Sequence, residues 1–159
     1  TLGKGTFKFC LDQEQNNFIC TQENILIPED AEEFAINMIN KKFWPKAISN
    51  YINDCQLGEE GPREKDFNMR WVASFVADIN RILVRGGIYL YPKGSRNTNG
   101  KLRLLYECNP IAMLAEQAGG KATYGTQRLL DIKAQHIHQR TPLFTGSKNM
   151  MKKVLQFLK

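Results

Sequence analysis

Lys101 and Arg103 stand two positions apart just after Gly100. In an extended segment both side chains leave the same face and can converge on one anion. A planar guanidinium fork beside a compact ammonium suits a phosphate dianion. The plainer reading is a solvated basic edge. Glu107 follows Arg103 by four positions, at a predicted helix start, where a carboxylate opposes the positive end of the helix dipole. A carboxylate beside a phosphate clamp is what Mg²⁺-assisted phosphoryl transfer uses, because hard divalent cations take oxygen ligands and bridge to substrate phosphate. Taken alone, one Glu at a helix start reads as a cap.

Arg70-Trp71 offers either a phosphate contact or a stacking platform. The alternative places Trp71 in the core or an interface. His136 and His138 are too few for a metal site without a third ligand, so they read as loop histidines bonded to backbone. The sequence contains no GxSxG, no phosphate-binding Walker loop and no GxGxxG after a strand, which leaves those chemistries unsupported.

The elements that must position these residues follow from periodicity. Phe7, Phe9 and Leu11 alternate with polar positions, Asn16-Asn17 supplies a turn, and Phe18 to Thr21 returns as a hairpin partner. Ile25 to Ile27 ends at Pro28 before an acidic loop. Pro45 opens a helix, with Phe43, Ala47, Ile48, Tyr51 and Ile52 keeping to one face. Val72, Phe75, Val76, Ile79 and Leu83 predict the most regular helix, with Arg81 and Arg85 near its end and Gly86-Gly87 as its stop. Ile88 to Tyr91 reads as a buried strand closed by Pro92. Leu104 to Ala118 predicts another helix, starting near Tyr106 or Glu107 because Pro110 must lie in its first turn. Ala122 to Tyr124 and Leu143 to Thr145 read as short strands, and Ser147 as the cap of a last helix. Strands alternating with helices indicate α/β architecture.

The chain has 159 residues, 24% charged and 42% hydrophobic, as in an ordinary globular domain. Its 22 Lys and Arg against 16 Asp and Glu give +6, without blocks of like charge. No apolar run approaches the ~18 residues of a membrane span. Cys10, Cys20, Cys55 and Cys108 show no CxxC spacing and read as reduced thiols, making a cytoplasmic location the default. The opening Thr1-Leu2-Gly3-Lys4-Gly5 lacks an initiator Met and runs straight into a strand pattern, which reads as the middle of a longer protein.

Several stretches together resemble class I fructose-1,6-bisphosphatases of the inositol monophosphatase-like superfamily. They are Val76-Ala77-Asp78, Gly86 to Pro92, Asn99 to Pro110, Glu116 to Gly120 and Ile137 to Arg140, with Gly100 to Pro110 the longest and most specific. The likeness is strong from Arg70 onward and traceable from Gly3 to Asn40. It implies the carboxy-terminal half of such an enzyme. The expected fold is α/β, a mixed, mostly parallel sheet flanked by helices, with an amino-terminal β-hairpin left over from the preceding domain. Residues 1–40 would hold the hairpin and linker, and residues 41–159 the sugar-phosphatase domain.

By the same resemblance Tyr91 and Lys101 face the 6-phosphate, Arg103 the 1-phosphate side, and Asn37 the 6-phosphate. Arg70 would reach a neighbouring subunit's 6-phosphate, implying a homo-oligomer, a tetramer by family, and Trp71 would lie at the sugar end. Glu107 would be the carboxy-terminal metal ligand, for Mg²⁺ with Mn²⁺ or Zn²⁺ as alternatives. The implied activity is hydrolysis of fructose 1,6-bisphosphate in gluconeogenesis, with no nucleic-acid or membrane partner. The family's Asp-rich metal motif belongs to the other half, so this piece is expected to be inactive alone. Two departures stand out: Met38-Ile39 where the family has Glu-Gly, and Trp71-Val72-Ala73 where it has Tyr, a small residue and Gly. Alternatives are a sedoheptulose 1,7-bisphosphatase, a non-catalytic sugar-phosphate-binding relative, and, from the charge and Arg70-Trp71, a nucleic-acid-binding module.

Overall fold

The computed structural model describes residues 3–158; Thr1 and Leu2 of the opening run, and Lys159, lie outside the described residues. β1 (Lys8–Asp12) and β2 (Asn17–Gln22) make an antiparallel hairpin that pairs with no other strand among the described residues, Leu11 standing opposite Phe18. Asn16 turns it at φ +47, a left-handed conformation asparagine tolerates. Ile25 and Ile27 are buried without joining a strand; their N–H groups donate to the Thr6 and Ala118 carbonyls, each at 2.8 Å.

The rest of the chain is built on β3 (Glu33–Ile36), α1 (Lys46–Gln56), β4 (Asn68–Met69), α2 (Phe75–Arg85), β5 (Ile88–Tyr91), β6 (Leu102–Arg103), α3 (Asn109–Gln117), β7 (Lys121–Thr123), β8 (Arg140–Thr141), β9 (Leu143–Gly146) and α4 (Lys148–Phe157). Five strands form the main sheet in the order β4-β3-β5-β9-β7. The β3–β4 and β3–β5 pairs are parallel, and β5–β9 and β7–β9 antiparallel. The sheet is therefore mixed and mostly parallel in strand direction, as expected: β4, β3, β5 and β7 run one way and β9 the other. β9 inserts between β5 and β7, and no α-helix separates it from β7 along the chain. The segment 28–40 contributes β3, which lies between β4 and β5 in this sheet.

Helices cover both faces, as a sheet with apolar side chains on both sides requires. In α1, Ile48, Tyr51, Ile52 and Cys55 recur at three- and four-residue steps and are buried with Phe34, Ile36, Ile88, Leu90 and the α4 residues Met150, Met151 and Val154. On the opposite face Ala35 and Tyr89, the alternate residues of the same strands, pack with Ile79 and Ile82 of α2 and Ile111, Ala112 and Ala115 of α3.

Two helix starts differ from expectation. α2 begins at Phe75, not at Val72, because Ala73 turns left-handed at φ +64 and Ser74 takes the cap position. Regular α-helix begins at Asn109, and Leu104–Cys108 instead forms a wide π-helical turn. There the Asn109 N–H bonds back five residues to the Leu104 carbonyl, while Pro110 has no N–H for the carbonyl four residues before it. Ser147 does stand at the α4 start, but its Oγ accepts from the Gly87 N–H at 2.9 Å instead of capping its own helix.

Candidate functional site

The three parallel strands share one carboxyl edge, and the predicted residues gather there. Asn37 follows β3 directly, Arg70 and Trp71 follow β4, and Tyr91 is the last residue of β5. Open α/β sheets bind ligands outside the carboxyl ends of their strands, where successive crossovers go to opposite faces. Here α1 follows β3 onto one face and α2 follows β4 onto the other. Asn37 and Tyr91 line a common cleft with Asn40, Phe43, Trp44, Pro92 and Arg96. The partly buried Trp71 indole stacks on the Tyr89 ring at 5.7 Å and lies 6.2 Å from Tyr91, joining two of the predicted residues in one aromatic group. Arg70 is exposed, and its own N–H donates to the Phe34 carbonyl at 2.9 Å.

The second cluster sits on the ribbon of β6 and β8, where Leu102 stands opposite Thr141 and both are buried. Lys101 and Arg103 flank Leu102 and are exposed, so they leave the other face together, as their spacing predicts. Just before them, Gly100 at φ +80 lies against the Thr141–Pro142 backbone, where a Cβ would fall 2.2 Å from the Thr141 carbonyl carbon. Arg103 and Glu107 meet directly. The Arg103 N–H donates to Glu107 Oε2 at 2.7 Å, and its Nη1 reaches both carboxylate oxygens at 3.3 Å. The π-helical turn thus folds Glu107 back over the strand end instead of leaving it as a helix cap.

Tyr89 stands between the two clusters. Burial pushes its phenol well above the ordinary tyrosine range, and Tyr91, Asp78, Cys108 and Glu107 add to the shift in that order.

Glu107 is one carboxylate already engaged by Arg103, and among the described residues no three His, Cys, Asp or Glu side chains come together. This chain by itself does not fit a resident metal ion. The histidines are loop residues as expected, although His138 pairs with a side chain: its Nδ1 lies 2.9 Å from the Tyr106 hydroxyl.

Three charged residues, Asp78, Arg81 and Glu33, were given no part in the site by the sequence reading. Asp78 is fully buried on α2, and Arg81 Nη1 donates to its Oδ1 at 2.7 Å. Arg81 Nε also lies 3.2 Å from Glu33 Oε2, close enough for charge attraction but out of line for a hydrogen bond. Arg81 Nη2 donates to the Arg70 carbonyl at 3.0 Å, and the Val72 N–H faces both Asp78 oxygens at 3.4 Å. Arg81, read as a cation complementing the helix end, holds the predicted site loop. A carboxylate next to Ile79 on the apolar face of α2 was the available signal.

A family model described as fructose-1,6-bisphosphatase, C-terminal domain, matches residues 27–159. This chain belongs to the fructose-1,6-bisphosphatase family. Solved structures agree. Leishmania major fructose-1,6-bisphosphatase in holo form is 36% identical with a TM-score of 0.95, covering 100% of this chain and 48% of that one. The apo form from the same organism is 37% identical with a TM-score of 0.93, covering 99% and 49%. The T-state form gives 37% and 0.93, covering 99% and 48%. The chain thus spans about half the length of the fructose-1,6-bisphosphatases it matches. The α/β sheet with helices on both faces and the antiparallel hairpin are those of the family.

Proposed function

We propose that this chain is the sugar-binding, carboxy-terminal part of a fructose-1,6-bisphosphate 1-phosphohydrolase of gluconeogenesis. Family membership supports the phosphatase class, and the residues at the carboxyl edge of the sheet support the division of labour. Asn37, Tyr91 and Lys101 would hold the 6-phosphate end, joined by Arg70 from a neighbouring subunit of a homotetramer. Trp71, fixed on Tyr89, would wall the sugar, and Arg103 would face the 1-phosphate.

The observation that carries this reading is the contact of Arg103 with Glu107 at the end of an extended segment that also presents Lys101. It sets a phosphate-binding cation against an oxygen donor. A divalent ion, Mg²⁺ with Mn²⁺ or Zn²⁺ as alternatives, would polarise the phosphoryl group when bound. Glu107 would be one donor, the others coming from outside residues 1–159. The residues here bind and orient: their cations screen phosphate charge and hold the ester in line, which is the larger part of phosphoryl-transfer catalysis. The reading places the enzyme in the cytoplasm, where thiols such as these four stay reduced.

Lys101→Ala in the full-length protein tests it. Losing a charge-assisted phosphate contact should raise KM for fructose 1,6-bisphosphate about tenfold or more while kcat changes less. An unchanged KM removes Lys101 from the site. Residues 1–159 alone, assayed with Mg²⁺, should show no turnover; a rate near the ordinary enzyme range of about 1 s⁻¹ or above would overturn the view that one carboxylate is insufficient.

A further inference from the structure

Residues 70–74 join β4 to α2 without regular structure, yet two of them belong to the proposed site. What steadies this loop comes from α2. Arg81 Nη2 donates to the carbonyl of Arg70 at 3.0 Å, and the Asp78 carboxylate faces the N–H of Val72 at 3.4 Å from each oxygen. These two backbone groups lie on either side of Trp71. The two side chains that reach them are bonded to each other at 2.7 Å. Glu33 on β3 backs Arg81 from behind and also takes Arg85 Nη2 at 2.5 Å.

Burying charges is a poor way to fill a core, since apolar side chains of similar volume do as well or better. Asp78 is nonetheless 0% exposed and Glu33 6%. Their bonds do not end in the core. Those of Asp78 and its partner Arg81 end on the peptide groups flanking Trp71, with Glu33 pairing Arg81 from β3, so the network ties α2 to the loop.

We infer that Asp78 and Arg81 are positioning residues, which fix the peptide groups on either side of Trp71 and so set where the indole and the Arg70 side chain meet the sugar-phosphate end of the substrate. The inference rests on the reading of the site given above. Removing either side chain frees the loop while leaving the side chains proposed to touch substrate chemically unchanged. The loss should therefore fall on binding, not on the chemical step.

The test uses the full-length protein with Mg²⁺ and fructose 1,6-bisphosphate, comparing Asp78→Asn, Arg81→Lys and, as a control on the site itself, Lys101→Ala. Arg81→Lys keeps a cation near Asp78 and Glu33 and removes only the second donor arm, so it serves if Asp78→Asn does not fold. Each positioning variant should raise KM about tenfold with kcat within about twofold, the size expected for one lost hydrogen bond to a charged group. A lowered melting temperature with unchanged KM would mean the network is structural only, and a fall in kcat with KM unchanged would equally overturn the inference. If Lys101→Ala raises KM and the Asp78 and Arg81 variants do not, positioning fails while the site stands. If Lys101→Ala also leaves KM unchanged, the site reading itself fails.

Discussion

Ala73 carries φ +64 between the proposed ligand residue Trp71 and the cap of α2. An L side chain in the left-handed region costs about 1–2 kcal/mol, and glycine avoids that cost. Glycine also loosens the unfolded chain, which returns about 0.4–1 kcal/mol of the gain. Ala73→Gly should therefore stabilise by roughly 0.5–1 kcal/mol and raise the melting temperature by about 2 °C. A lower melting temperature would show that the methyl group contributes packing the backbone angle does not reveal. The same loop marks how far single residues could be read. Lys101, Arg103 and Glu107 were legible because their spacing maps onto one strand face followed by a turn. Asp78 and Arg81 were not: on a helix, an acid and a base three apart look like a solvated pair, and only the tertiary fold shows one of them buried against the Arg70–Val72 backbone.

At the scale of elements, the close meeting of β5 and β9 depends on Gly146. Its φ is +141, and a Cβ there would lie 2.1 Å from the Gly87 carbonyl oxygen, with no side chain that could yield. Backbone strain of about 1–3 kcal/mol and overpacking of a similar size act together at this position. Gly146→Ala should destabilise by roughly 2–5 kcal/mol, read as a lower denaturant midpoint. Gly125 provides the comparison, since its φ is +137 but nothing lies within 4 Å of its added Cβ. Gly125→Ala should cost only the strain; equal losses at the two positions would show that contact with Gly87 contributes nothing. The elements themselves were legible in proportion to their length. α1, α2 and α4 each show an apolar face over ten or eleven residues. β4, β6 and β8 have two residues each, too short for any period to register. β3 escaped because it opens on Glu33, a charge that reads as loop until Arg81 and Arg85 are seen to neutralise it.

The whole molecule is uneven in how it hides apolar surface. The main sheet is covered on both faces, whereas the hairpin pairs only with itself and leaves Phe9 55%, Leu11 50% and Phe18 65% exposed. Leu11 opposes Phe18 in the ladder and Phe9 lies two residues along the same strand, so all three project from one face. An apolar face of this kind on an otherwise well-covered fold marks a surface that another element buries. The solved relatives are about twice as long as this chain, which leaves ample sequence to supply that element. The double substitution Phe9→Ser and Phe18→Ser should then act oppositely in two settings. In residues 1–159 alone it should reduce binding of a hydrophobic dye and slow aggregation, with the melting temperature of the main body moving little, because the core of the five-stranded sheet contains none of these residues. In the full-length protein it should lower stability by about 3 kcal/mol or more, the cost of truncating buried aromatic side chains. Little or no loss in the full-length protein would mean the hairpin face stays open to solvent there, and that the hairpin is an appendage to this domain instead of a strand pair covered by residues outside it.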